Sequence, residues 1–251
     1  MFFFFKRPKI VVDAFTHKEL TSHLFPVEKS VSYLPDWWKN LPGGFTNPEW
    51  PQTEISTVKR CRGIIDLYRQ SFTIPLWSDL ALDLDASSGE KKWRYNFADK
   101  ETPAVQHSAI EFDGANTFKD YQHLKIVSPW FLKEKSGVTF LMSQHTWNLN
   151  DYLSTFTVLP GIMDFKYQHS ININSFFAYK DTKSSIFIPA GTPMAHLTPL
   201  SEKEVEIKCH TIDTVKFNTM LNIPTFNNNY KKTRSMSVAR ESKKCPFGFG
   251  R

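Results

Sequence analysis

Hydrophobic and polar positions alternate with a period of two over short stretches along most of this chain, and turn residues punctuate them. The clearest case spans residues 159–200. A Pro160-Gly161 turn, an apolar pair, Asp164 and Tyr167 lead into Ser170-Ile171-Asn172-Ile173-Asn174, whose alternation puts Ile171 and Ile173 on one face of a half-buried strand. A second unit follows, with the strand Ile186-Phe187-Ile188, a Pro189-Ala190-Gly191 turn, and a strand through Met194, His196 and Leu197 that stops at Pro199. Upstream, Leu80–Asp85 and Lys92–Phe97 flank Ser87-Ser88-Gly89 and read as a hairpin. Gly63–Tyr68 and Ser71–Trp77 read as short strands joined by a polar turn, and further strands are expected at Ser108–Phe112, Leu124–Val127, Val138–Met142 and Ser154–Leu159. Strands so closely spaced, with few helical stretches, predict an all-β sandwich or jelly-roll-like barrel. Helical turns are expected over Lys18–Phe25 and Leu34–Asn40, and one longer helix over Ile212–Leu221.

The pattern divides the chain into an irregular N-terminal arm (1–55), a β-sandwich core (56–222) and a basic tail (223–251). Among 251 residues, 22 are Phe, 15 Pro and 10 Gly, which suits aromatic β packing with irregular connections. There is no run of 18 apolar residues, so no transmembrane helix is expected, and Met1–Arg7 lacks the order of a signal peptide. The sequence therefore predicts a protein retained in a cytoplasm, without membrane contact.

Charge alters this picture at one place. Residues 231–251 hold seven cations (Lys231, Lys232, Arg234, Arg240, Lys243, Lys244, Arg251) and one acid, Glu241. Removing them from the chain's 31 basic and 25 acidic residues leaves 24 of each. The net charge of +6 thus belongs to the tail, which could contact phosphates of a nucleic acid non-specifically or dock on an acidic neighbour.

Candidate chemistry is sparse. Cys61, Cys209 and Cys245 are far apart, so neither a zinc knuckle nor a disulfide framework is expected. The eight histidines include no HxH pair, and no metal site or cofactor is expected on that ground. There is no GxSxG elbow and no Gly-rich phosphate loop. Asp83 and Asp85 share a strand face that is expected to be solvated.

Two resemblances carry the functional reading. Gly161-Ile162-Met163-Asp164-Phe165-Lys166-Tyr167, a strand, and then Ile188-Pro189-Ala190-Gly191-Thr192-Pro193-Met194-Ala195-His196-Leu197 resemble neighbouring motifs of the trimeric dUTPases and dCTP deaminases, which have a jelly-roll-like β-clip fold. The resemblance implies a water-activating carboxylate at Asp164 and an aromatic under the sugar at Tyr167. His196 stands where that family has glutamine, and Lys166 replaces its second acid. No Arg-Ser-Gly phosphate motif precedes Asp164; Lys135-Ser136-Gly137 is the nearest substitute. The second resemblance covers the whole chain, through Pro35-Asp36-Trp37-Trp38-Lys39, Lys59–Ile64, Ile74–Asp79 and the 159–200 block. It is to a family of tailed phages of marine bacteria, and implies a viral protein.

Together these imply a phage protein with a non-catalytic β-clip or jelly-roll core, acting in binding or virion assembly in the host cytoplasm or the particle. Its implied partners are copies of itself, a trimer by preference, and other phage proteins. Ile171/Ile173 and Ile186–Ile188 are expected to supply apolar surfaces for that assembly, with His196 and Asp164 near the subunit boundary. The alternative is a nucleotide pyrophosphohydrolase or deaminase, with Asp164 as base, Mg2+ at Asp79 or Asp83, and Lys135 or tail arginines on the phosphates. The remaining alternative is nucleic-acid binding through the tail.

Overall fold

The computed structural model describes residues 9–88, 91–100, 104–106, 118–148, 155–180, 182–222, 234–236 and 238–239. The alternating stretches form strands that assemble into an all-β sandwich with few helices. The larger sheet has the order β11 (Phe156–Val158), β13 (Ser170–Ala178), β9 (Tyr121–Lys133), β1 (Ile10–Thr16) and β16 (Val205–Thr211), and β8 (Ala104–Gln106) also pairs with β9. The second runs β12 (Gly161–Met163), β10 (Phe140–Gln144), β15 (Pro193–Pro199), β5 (Phe72–Pro75) and β2 (Glu28–Lys29). A third holds β14 (Ser184–Ile188), β6 (Leu80–Asp85) and β7 (Lys92–Phe97); β3 (Gly44–Thr46) and β4 (Glu54–Ser56) form a separate hairpin. The helices are α1 (Glu19–Leu24), α2 (Asp36–Asn40), α3 (Arg62–Gln70) and α4 (Thr214–Asn222). Among the described residues, no helix is long and apolar enough to cross a membrane.

One apolar core joins the three larger sheets. Val12, Ile126, Ile171 and Ile173 enter it from the first, Ile74, Phe140 and Leu197 from the second, and Leu82, Leu84 and Ile188 from the third. Burial of this continuous surface is what orders strands too short to be stable in isolation. A smaller cluster on the outer side of the larger sheet packs Phe15 and Phe131 against Phe217 of α4. The turn between β14 and β15 needs Gly191, whose φ of 84° is strained for any residue with a Cβ.

Several expectations change. The segment 1–55 is not irregular throughout: β1 lies inside the larger sheet, parallel to β16 (Ile10 opposite Val205) and antiparallel to β9 (Ala14 opposite Leu132). Pairing with strands so distant along the chain leaves no local signature. Gly63–Tyr68 is helical rather than extended. Ile64, Ile65 and Tyr68 fall on one side of α3, while Arg62 and Asp66 pair at 3.5 Å in the i, i+4 relation. Ile171, Ile173 and Ile188 are fully buried in the chain's own core, so they offer no surface for assembly. The hairpin expected of β6 and β7 forms, with Leu80 opposite Phe97. The strand expected at Ser108–Phe112 lies outside the described residues.

Candidate functional site: a sealed imidazole and hydroxyl cluster

Alternation decides where the polar chemistry collects. In β5, Phe72 and Ile74 turn inward, so Thr73 projects from the opposite face of its sheet, and β15 sets His196 directly across from it. That outer face does not reach water. The 3-10 turn Ser30–Tyr33 and α3 lie across it and bury it. His145, just beyond β10, is tied in by its N–H, which donates to Met194 O at 3.3 Å.

The result is a compact group of side chains, each at most 1% exposed: Ser30, Tyr68, Ser71, Thr73, His145 and His196. The two imidazoles stack with centroids 3.7 Å apart and planes inclined by 19°. The Tyr68 ring stands edge-on to both, at 5.3 Å from His145 and 5.2 Å from His196. His196 Nδ1 lies 3.0 Å from Ser30 Oγ and 3.1 Å from Ser71 Oγ. Thr73 Oγ1 lies 3.0 Å from His145 Nε2 and 2.8 Å from Ser30 Oγ.

Proton counting fixes the tautomers. Ser71 Oγ donates to Leu67 O at 2.5 Å, a partner that can only accept, and this uses its one proton. The hydroxyls of Ser30 and Thr73 cannot fill the remaining contacts alone. His196 therefore contributes Nδ1–H and His145 contributes Nε2–H. Their outer nitrogens, His196 Nε2 and His145 Nδ1, are buried lone-pair ends with no partner at close hydrogen-bond distance among the described residues. Asn148, whose side chain also interacts with His145, accepts from Tyr68 Oη–H at 2.7 Å and donates one amide N–H to Tyr33 O at 2.7 Å.

Electrostatics keeps the group neutral. Burial, and secondarily the neighbouring His196, pushes His145 down to about 2. Burial lowers His196 to about 4 and raises Tyr68 above the ordinary phenol range. Near-parallel rings also direct their lone pairs along parallel planes, so the pair cannot close on one tetrahedral metal ion. Serine and histidine are adjacent here, but among the described residues no acid stands behind this sealed Ser–His contact, so it lacks what a nucleophile needs to be oriented and reached.

The residues of the dUTPase-like reading lie elsewhere. Asp164 follows β12 and accepts from Lys166 N–H at 3.2 Å. Its turn closes through Tyr167 N–H and Gln168 N–H on Asp164 O. Tyr167 carries Lys166 Nζ at 5.2 Å and Arg234 of the tail at 5.7 Å from its ring centre, so two of the expected binding residues do meet. Lys135 belongs to the neighbouring turn, where Glu134 N–H donates to Phe165 O at 3.4 Å. Asp79 is spent on Ala190 N–H at 2.8 Å, and Asp83 on Arg94 at 2.6 Å and Ser185 Oγ–H at 2.6 Å. His196 is interior to the chain rather than at a surface. Lys231, Lys232, Arg240, Lys243 and Lys244 lie outside the described residues.

His196 was visible as a histidine on an apolar strand, but its partners were not. Ser30, Ser71, Thr73 and His145 come from four separate segments, each reading as an ordinary polar position. Compared with known proteins, the chain matches no family model and no curated protein.

Proposed function

We propose that this chain is a bacteriophage protein whose β-sandwich is non-catalytic and serves in binding or virion assembly, as a homo-oligomer with a trimer preferred. One observation carries the non-catalytic part. Asp164 lies at the end of the second sheet where Met163 pairs with Phe140 and Phe140 with Pro199. Asp79 lies at the other end, where Leu76 N–H donates to Thr192 O. Seven residues of β-strand rise separate those ends, about 23 Å. Within one chain, a base at Asp164 and a magnesium ion at Asp79 would act on different places.

Support for a viral origin comes from the sequence resemblance. Support for self-association comes from Ile162 and Phe187, 59% and 58% exposed on the edge strands β12 and β14. Partners of this reading are further copies of the chain and other phage proteins, with the basic tail as a second contact to nucleic acid. Mass spectrometry of purified particles against infected-cell extract tests the assembly role: recovery in particles supports it, and recovery in extract alone contradicts it. Light scattering that gives one copy at micromolar concentration would remove the oligomer.

A further inference from the structure

A second polar concavity lies on the larger sheet, on the face turned away from the core. Val12, Ala14 and Leu132 point inward, so Asp13 and Lys133 point outward, and they are direct cross-strand partners. Lys208 of β16 is the partner of Asp13 on its other side. Beside this row is a cavity of about 440 Å³ lined by Lys9, Asp13, Lys133, Lys135, Ser136 and Lys203, with Ile10 and Val11 as its apolar wall. Its size falls within the range of small-molecule sites.

Its charges are unevenly consumed. Lys9 pairs with Glu204 at 2.6 Å. Glu134, 3% exposed, turns inward and accepts from Ser136 N–H at 2.6 Å, Ser136 Oγ–H at 2.7 Å and Gly137 N–H at 2.8 Å. That turn, closed by Gly137 at φ 83°, fixes the backbone that carries Lys135. Among the described residues, no ion pair joins Lys133, Lys135 or Lys203 to a carboxylate, so three ammonium groups line the hollow against two acids, Asp13 and the buried Glu134, whose oxygens are turned to the Ser136–Gly137 backbone. An excess of one sign in a hollow with low-dielectric walls concentrates the field there.

We propose that this cavity binds a small polyanion carrying two or more phosphate groups. Lysines without an arginine present point charges rather than a planar fork, which suits a compact, densely charged anion better than a carboxylate. Glu204 and Glu206, at the adjoining start of β16, interrupt the cationic track that an extended nucleic acid strand would follow.

The test is calorimetric titration of the full chain with inorganic tripolyphosphate at low ionic strength. One saturable site per chain is expected, weakened by added salt. Lys133→Gln, Lys135→Gln and Lys203→Gln should each weaken it by about tenfold, while Lys216→Gln on α4 should leave it unchanged. The Gln variants keep side-chain length, and unchanged melting temperatures would show that they fold. Deleting residues 231–251 should preserve binding. The proposal is overturned if no saturable binding appears by millimolar ligand, if the three variants bind as the parent does, or if tail deletion abolishes binding. It is also overturned if an oligothymidylate binds through these lysines while tripolyphosphate does not.

Discussion

His145 and His196 lie ring on ring, 3.7 Å between centroids, and neither imidazole reaches water. Two cations could not share that space: each would lose its hydration and face a like charge. The stack is therefore an arrangement of two neutral rings. It joins β15 and the end of β10 to the segment around Ser30 and α3, which covers them.

Folding stability should fall on the acid side for this reason. Both histidines have native pKa values below the ordinary 6.5, at about 2 and about 4. The unfolded chain then binds more protons below pH 6.5, so the stabilisation is complete above that value. It is lost as pH falls through the window from 6.5 to about 4 for His196 and onward to about 2 for His145. Each histidine adds a slope of ~1.4 kcal/mol per pH unit within its window. Urea denaturation between pH 7.5 and 5 checks this, and a His145→Phe, His196→Phe chain should show a flatter profile.

Thr73 is the hydroxyl that links the two rings through Ser30. Thr73→Val keeps its shape and removes that link, leaving His145 Nε2–H and Ser30 Oγ short of a partner. The expected loss is about 1–3 kcal/mol by denaturation. Thr57→Val, whose hydroxyl donates to Pro42 O at an exposed site, should cost less than half as much.

Two glycines should respond with opposite sign. Gly191→Ala puts a Cβ at φ 84°, where its nearest neighbour, Phe25, is at an ordinary 3.7 Å; the cost is then backbone strain of about 1–2 kcal/mol. Gly63→Ala, in the first turn of α3 with nothing within 4 Å, should be neutral or stabilising by up to about 1 kcal/mol. Thermal melts of the two variants check the prediction, and a destabilising Gly63→Ala would argue against the helix.

Much of the sheet structure was legible in the sequence because alternation is a local signal. Ser170–Asn174, the hairpin of β6 and β7, and the Met194–Leu197 strand all form where the pattern places them. What failed was long-range or ambiguous in period. β1 owes its place to β16 at the far end of the chain, and Gly63–Tyr68 is too short for its apolar residues to separate a period of 2 from one of 3.6. The imidazole cluster was half legible: His196 stood out, but cross-strand register brings Thr73 to it, and a covering turn brings Ser30. The separation of Asp164 from Asp79 likewise depends on which strand ends coincide, and a motif match carries no such information.

The proposed reading holds that this sandwich does not turn over nucleotides, with Asp164 and Asp79 at opposite ends of one sheet and His145 and His196 sealed. Pyrophosphate release from a panel of deoxynucleoside triphosphates with Mg2+, measured for the parent chain beside Asp164→Asn, tests it most directly. The account predicts no release from either chain above the buffer blank. Release by the parent that Asp164→Asn abolishes would contradict it.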